Sequence, residues 1–382
     1  MYKEVSIYKA GELFSERKES GNDSLEILSV SIHSGVSSGQ LDDEELGKVV
    51  RRSEDKSLYK RVYTGDLVFN MMRAWQGAIG TADTDGMVSP AYIVAKPCNK
   101  IYPPFMNYYM RTKSMINTIN RMSYGLTDFR KRLYWDSFAS IEILLPSYDE
   151  QVLIASAMQA VDSVIKNKKD LLSTYERYDK SIKYKAFHQK IRFPQSSFTA
   201  WKEYQLGELF DERNERSHGD EELLSVTIAN GIVKQSDTDK RLIASSDRSN
   251  YKRVLEGDLA YNTMRMWQGA VGASEYEGII SPAYTVLIPK DEVCGEYFVE
   301  YFKSKMMLNA FTRYSQGLTS DTWNLKYAQF SKIRVTIPCY EEQKMLSSIF
   351  EELSYQISLI KLEVEKWEKY KEGLMQMLVY TA

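Results

Sequence analysis

Two kinds of hydrophobic spacing alternate along this chain. Over residues 1 to 148, and again over 198 to 340, apolar residues come in short β-branched and aromatic runs broken by Gly, Pro, Asn and Asp. Leu67-Val68-Phe69, Tyr92-Ile93-Val94 and Ile141-Glu142-Ile143-Leu144-Leu145 are examples. Runs of this length between turn residues predict strands, and Phe105 to Asn120 and Tyr297 to Phe311 read as helices among them. The pattern predicts mixed α/β domains at 1–148 and 198–340. Over 149–193 and 341–382 the spacing turns helical. In the later segment Leu346, Phe350, Leu353, Ile357, Ile360, Val364 and Trp367 step by alternating four and three, a heptad seam that Leu374 and Leu378 resume. The earlier segment has no Pro or Gly from Asp149 to Phe193. It keeps the same register with Ile154, Met158, Val161, Ile165, Leu172, Tyr175 and Ile182, while Lys168 and Asp179 occupy two seam positions. Helices of about 40 residues rise about 60 Å, and two with matching seams predict an antiparallel coiled coil.

The order of domain, helix, domain, helix reflects an internal repeat. Residues 59–92 read YKRVYTGDLVFNMMRAWQGAIGTADTDGMVSPAY, and residues 251–284 read YKRVLEGDLAYNTMRMWQGAVGASEYEGIISPAY. At this offset of 192 residues, 20 of 34 positions are identical. Upstream, Glu12-Leu13-Phe14 recurs as Glu208-Leu209-Phe210 at an offset of 196, so one half carries a four-residue indel. Downstream the offset is again 192, matching Gly125-Leu126-Thr127 to Gly317-Leu318-Thr319 and Pro146–Gln151 to Pro338–Gln343. An antiparallel pairing of the helices then implies two heads related by a pseudo-two-fold axis, a geometry suited to a two-part DNA site.

Composition narrows the function. A length of 382 residues suffices for two domains with separate cores. No apolar run approaches a membrane span and Met1-Tyr2-Lys3-Glu4 lacks the apolar core of a signal peptide, so a cytoplasmic protein without a membrane partner is expected. Cys98, Cys294 and Cys339, with His33, His188 and His218, show no ligand spacing, so no metal site is expected. The net charge of −2 argues against coating DNA by bulk positive charge and favours local basic patches. The 27 tyrosines suit wet recognition surfaces as well as cores.

Several duplicated segments together resemble the specificity (S) subunit of type I restriction-modification systems: Gly-Asp-Leu, Met-Arg-x-Trp-Gln-Gly and Ser-Pro-Ala-Tyr at 65–92 and 257–284, each followed by an Ile-x-Ile/Val-x-x-Pro strand and a Glu-Gln helix start at Glu150-Gln151 and Glu342-Gln343. The resemblance covers essentially the whole chain. It implies two target-recognition domains, each reading one half of a bipartite site on double-stranded DNA. It further implies spacer helices that set the separation and dock two methyltransferase (M) subunits, with motor-nuclease (R) subunits joining the complex. S-adenosylmethionine, ATP and Mg are then expected on those partners, with no cofactor in this chain. A coiled-coil scaffold, or an orphan subunit of a degenerate system, is the alternative.

Candidate DNA contacts lie in the duplicated segments. Arg73 and Arg265 have the planar fork that pairs with guanine or grips phosphate, and Gln76 and Gln268 have the amide that pairs with adenine. Trp75 and Trp267 either pack on the DNA or anchor the turn. Lys60-Arg61 and Lys252-Arg253, beside Tyr59 and Tyr251, suit phosphate contacts or a solvated strand end. Asn70 and Asn262 either reach DNA or close a turn. After Gly125 the chain carries Arg130, Lys131 and Arg132, whereas its counterpart carries Asp321, Thr322, Trp323 and Asn324, so the two heads are expected to differ there. Because most candidate positions are identical, the half-sites are expected to approach an interrupted palindrome.

Catalytic readings fare less well. Tyr102-Pro103-Pro104-Phe105 resembles the amino-methyltransferase motif, but tyrosine stands where a short polar residue must bind the target amino group. No Gly-x-x-x-x-Gly-Lys-Ser/Thr loop is present. Asp42-Asp43-Glu44-Glu45 reads as a solvated loop and Glu341-Glu342 as an acidic helix N-terminus. A non-catalytic subunit is expected.

Overall fold

In the computed structural model the described residues are 5–22, 24–32, 35–38, 58–126, 130–193, 200–217, 221–237 and 248–380, with side chains to 377. The chain divides into two compact units, one of Met1–Lys169 with Leu362–Ala382 and one of Asp170–Lys361. The acidic run at 42–45 and the histidines His33 and His218 lie outside the described residues.

The first unit begins with β1 (Val5–Lys9), α1 (Ala10–Leu13), β2 (Phe14–Glu16), β3 (Leu28–Ser31), β4 (Gly35–Ser38) and β5 (Lys60–Val62). It continues with β6 (Leu67–Asn70), β7 (Ile79–Thr81), β8 (Gly86–Val88) and β9 (Tyr92–Pro97). An antiparallel sheet runs β2-β9-β6-β7, while β3 pairs with β4 and β5 with β8. Successive side chains of a strand leave opposite faces, and β6 is buried on both. Leu67 and Phe69 enter a core shared with the helices, whereas Val68 joins Val62, Val88 and Val94 in a second core. That two-sided burial explains the unbroken apolar run Leu67-Val68-Phe69.

After β9 come α2 (Pro103–Tyr109), α3 (Lys113–Met122), α4 (Trp135–Ala139) and β10 (Glu142–Pro146), which pairs antiparallel with β1. The expected single helix from 105 to 120 is therefore two. Thr112 leaves helical geometry and its hydroxyl caps the new helix by accepting the Met115 N–H. Ser304 makes the same break in the second unit. Tyr102-Pro103-Pro104 is a helix start, with proline in the first turn, where no N–H is needed.

Helix α5 (Tyr148–Phe187) follows β10 and ends six residues before the expected Phe193, where Gln189 takes a left-handed φ of 55°. Its residues 148–169 belong to the first unit, and the remainder to the second.

The second unit repeats the plan with β11 (Lys202–Gln205), α6 (Leu206–Leu209), β12 (Phe210–Glu212), β13 (Leu224–Thr227), β14 (Gly231–Lys234) and β15 (Lys252–Val254). It adds β16 (Leu259–Asn262), β17 (Val271–Ala273), β18 (Gly278–Ile280) and β19 (Tyr284–Pro289). The chain then forms α7 (Gly295–Phe302), α8 (Lys305–Tyr314), α9 (Tyr327–Phe330), β20 (Arg334–Ile337) and α10 (Tyr340–Tyr380). The sheet order β12-β19-β16-β17 and the pairs β13-β14, β15-β18 and β11-β20 reproduce the first unit. Helix α10 leaves the second unit at Lys361 and gives its remaining residues to the first.

Each unit contains parts of both long helices. In the first, Ile154, Ala155 and Met158 of α5 lie in the core, with Leu374 and Met375 of α10 packed against it. Ion pairs join Lys168 to Glu363 at 2.6 Å, Lys169 to Glu368 at 2.7 Å and Lys371 to Asp162 at 2.5 Å. In the second, Leu346 and Phe350 of α10 share a core with Ala186 and Phe187 of α5, and Lys361 pairs with Glu176 at 3.1 Å. Of the seam residues, Ile154, Met158, Val161, Ile165, Leu346, Phe350, Ile360 and Val364 are buried, and Leu172, Leu353, Ile357 and Trp367 are half-buried. Among the described residues no helix is long and apolar enough to cross a membrane.

Candidate DNA-recognition site

The chain between β6 and β7 carries the Met-Arg-x-Trp-Gln-Gly segment as a rigid turn. At the end of β6, Asn70 Oδ1 accepts the Met72 N–H at 2.9 Å, and Asn262 accepts that of Met264 at 3.0 Å, so both asparagines close a turn. A single 3-10 turn follows, Ala74–Gln76 or Met266–Gln268. It ends on Gly77 at φ 104° and Gly269 at φ 86°, where a side chain is disfavoured. The indoles of Trp75 and Trp267 donate to the carbonyls of Met72 and Met264 at 3.0 and 3.1 Å, and so anchor the turn. What the turn leaves outward is Arg73 and Arg265 with Gln76 and Gln268, half-buried or exposed. Among the described residues the guanidinium groups of both arginines make no hydrogen bond or ion pair. A fork held on a rigid turn and left unspent is suited to pairing with a base edge or phosphate.

Two further motifs meet this turn at one residue. The N–H of Met71, just beyond β6, donates to the carbonyl of Ala91 in the Ser-Pro-Ala-Tyr turn at 3.1 Å, and its carbonyl accepts the Leu133 N–H at 2.9 Å. In the second unit Thr263 makes the same pair of bonds, with Ala283 at 3.3 Å and Leu325 at 2.8 Å. Leu133 and Leu325 close the loops that follow Gly125 and Gly317. Each loop is pinned by a bridge, Tyr124 with Arg132 and Gln316 with Asn324. The sequence shows three separate motifs; the fold brings them to one edge.

The loops lean on the tryptophans through different chemistry. Lys131 places its ammonium 6.0 Å from the Trp75 ring centre, and the residue at the same repeat position, Trp323, meets Trp267 edge-on at 5.2 Å. Arg130 and Arg132 are exposed, whereas the Asn324 Oδ1 is buried without a hydrogen-bond partner.

The basic pairs on β5 and β15 are engaged inside the protein. Lys60 donates to the Tyr92 carbonyl at 2.8 Å, and burial lowers its pKa. Lys252 is buried and pairs with Glu212 at 3.1 Å. Arg61 meets Asp85 at 3.2 Å, and Arg253 lies between Glu215 and Glu221 at 3.3 and 3.4 Å.

Two framework groups carry no function in the sequence reading yet hold the site. The aspartates of the Gly-Asp-Leu motif are buried and accept both arms of an arginine from the preceding strand region. Arg17 reaches Asp66 at 2.8 and 3.1 Å, and Arg213 reaches Asp258 at 2.6 and 2.9 Å. Hydrogen bonding to Asp66 and Asp258 raises the pKa of each arginine. The second group is Gln151 and Gln343, buried at the starts of the long helices. Gln151 accepts the Tyr102 N–H at 2.8 Å and donates to the carbonyls of Lys100 and Pro146, both at 3.0 Å. Gln343 accepts from Cys294 at 3.0 Å and donates to Glu292 and Pro338 at 3.3 and 3.0 Å. Recurrence at the repeat offset was the available signal for both groups.

Residues 199–366 match the type I restriction modification DNA specificity domain. The fold is similar to three solved structures. One is the type I restriction-modification S subunit from M. genitalium, with a TM-score of 0.57 at 15% identity, covering 98% of this chain and 96% of that one. The HsdS subunit from Thermoanaerobacter tengcongensis gives 0.50 at 14%, covering 98% and 96%. A chain from a structure describing complex assembly and conformational transition of the type I R-M system gives 0.56 at 14%, covering 99% and 98%. The first unit repeats the motifs of the matched segment at its own turn, loop and helix start, so the second half of the chain matches the type I restriction modification DNA specificity domain and the first half carries the same motifs.

Proposed function

We propose that this chain supplies the address of a type I restriction-modification complex. Each head reads one half of a bipartite site on double-stranded DNA. The long helices pair as an antiparallel coiled coil that relates the heads by a pseudo-two-fold axis, sets the spacer and docks two methyltransferase subunits. The observation that carries this reading is the duplicated edge, where an unpaired arginine and an outward glutamine stand on a pinned turn in each unit. Arg73 and Gln76 serve one half-site and Arg265 and Gln268 the other, with Arg130 and Arg132 adding phosphate contacts in the first head only. Lys60, Arg61, Lys252 and Arg253 then serve the fold more than the DNA. Cofactor chemistry belongs to the partner subunits.

The test is co-expression with a type I methyltransferase subunit that assembles with this chain, followed by mapping of modified adenines. One bipartite motif with related half-sites is expected, and Arg73→Ala or Arg265→Ala should each relax or abolish reading of a single half. A stable complex that leaves no motif overturns the proposal in favour of a scaffold, and two unrelated half-sites overturn the shared-readout part of it.

A further inference from the structure

Among the described residues, each of the two loops that close onto Met71 and Thr263 presents a leucine to solvent. Leu318 is 100% exposed and Leu126, at the same repeat position, 91%. A singly exposed leucine is ordinary on a protein surface. These two differ in being duplicated and in standing in loops beside the arginine-bearing turns, and Leu318 is in addition held by its own loop. Around Leu318 the backbone of Gln316 exchanges two hydrogen bonds with Asn324 at 3.0 and 2.8 Å. The Thr319 N–H donates to the Thr322 hydroxyl at 3.1 Å, and the Thr322 N–H returns to the Thr319 carbonyl at 2.9 Å. Gly317 has φ 141°, and a Cβ there would lie 2.5 Å from the Thr322 carbonyl oxygen, so the loop closes more tightly than any other residue allows. Trp323 fixes the loop to Trp267 from the other side. A loop this constrained presents its leucine in one direction.

We propose that Leu126 and Leu318 are apolar contacts to the DNA, one in each half-site. The inference rests on the recognition function above. DNA is favoured as the occupant because each leucine shares its edge with an unpaired arginine fork, and in the first head the loop also carries exposed Arg130 and Arg132. DNA offers an apolar residue two kinds of surface, the thymine 5-methyl group in the major groove and the base face exposed where a step partly unstacks. Met72 and Met264, 46% and 44% exposed at the same edge, extend the apolar rim on the turn side. The leucines therefore contribute discrimination where the arginine and glutamine hydrogen bonds do not reach.

The assay is equilibrium binding of the assembled complex to a duplex carrying its mapped motif and to a scrambled duplex. Covering a leucine side chain supports a loss of roughly 5- to 30-fold in motif affinity for Leu318→Ser or Leu126→Ser. Scrambled-duplex affinity and subunit assembly should be unchanged, and Leu318→Met should stay within roughly two-fold because it keeps the apolar surface. Replacing thymine by uracil at one position should reproduce the Leu318→Ser loss if the methyl group is the contact. If the base face is the contact, uracil should be silent and 2-aminopurine at the step should brighten with wild type but not with the serine variant. Wild-type affinity in both serine variants overturns the inference. Loss of methyltransferase subunits without loss of motif affinity overturns it in favour of a protein contact. A wild-type complex that does not distinguish motif from scrambled duplex overturns the recognition function itself, and the leucine contact with it.

Discussion

Removing the Gln343 side chain should cost the second unit several kcal/mol. The amide is 1% exposed and joins three backbone groups that lie apart in sequence: the Cys294 N–H at the start of α7, the Glu292 carbonyl and the Pro338 carbonyl before α10. Alanine leaves one donor and two acceptors without partners in a closed site. Each buried orphan costs about 1–3 kcal/mol, but carbonyls and local relaxation recover part of this, so about 4 kcal/mol is expected. For a unit of this size about 1 kcal/mol moves Tm by about 2–4 °C, giving a drop of about 8–16 °C by differential scanning calorimetry. Gln151→Ala should do the same to the first unit, whereas Gln159→Ala, exposed on the same helix, should leave Tm within about 1 °C. Gln343→Glu adds a sign. A carboxylate facing two carbonyls in a dry site has its folded pKa raised above the unfolded value of about 4.3. Stability is then highest below that pH and is lost as pH rises through the folded pKa, the opposite of an ordinary paired acid. A Gln343→Ala shift below about 2 °C, or a Gln343→Glu variant no less stable at pH 7 than at pH 4, would refute the clamp.

Asp258→Asn should destabilise the second unit by about 1.5–3 kcal/mol in urea unfolding, because the buried Arg213 fork loses its charged bidentate partner and keeps only the half-exposed Glu215 at 2.9 Å; an unchanged urea midpoint would show that the pair is not structural. Gly269→Ala places a side chain at φ 86° and should cost about 1–2 kcal/mol. Its larger effect should be on the half-site proposed for Arg265, measured as loss of adenine modification at the motif with the complex still assembled.

Much of the architecture was legible because the chain writes it twice. The 192-residue offset predicts equivalent strands in the two units, and Leu67–Asn70 and Leu259–Asn262 form them. Heptad spacing predicts two long helices, and the seam positions from Ile154 to Ile165 are buried. Residue type also raised Arg73 and Arg265 as candidates, since a guanidinium fork can pair with guanine or grip phosphate.

Tertiary structure decided what depends on contacts between distant segments. Periodicity reports which residues face inward and says nothing of which core receives them. Only the folded chain shows that α5 begins in one core and ends in another, with α10 running through the same two in reverse order. Burial likewise separated residues of one chemical type: Lys252 and Arg265 look equally fit to meet DNA as letters, but Glu212 holds the first, whereas no described residue pairs with the guanidinium of the second. The Thr112 and Ser304 breaks were invisible to a hydrophobic count because a cap is a hydrogen bond made by a polar side chain at one position. Sequence thus determined the elements and their duplication, which follow from local periodicity. The fold determined the edge proposed for recognition, because Met71 and Thr263 gather three motifs through backbone hydrogen bonds that any non-proline residue could make.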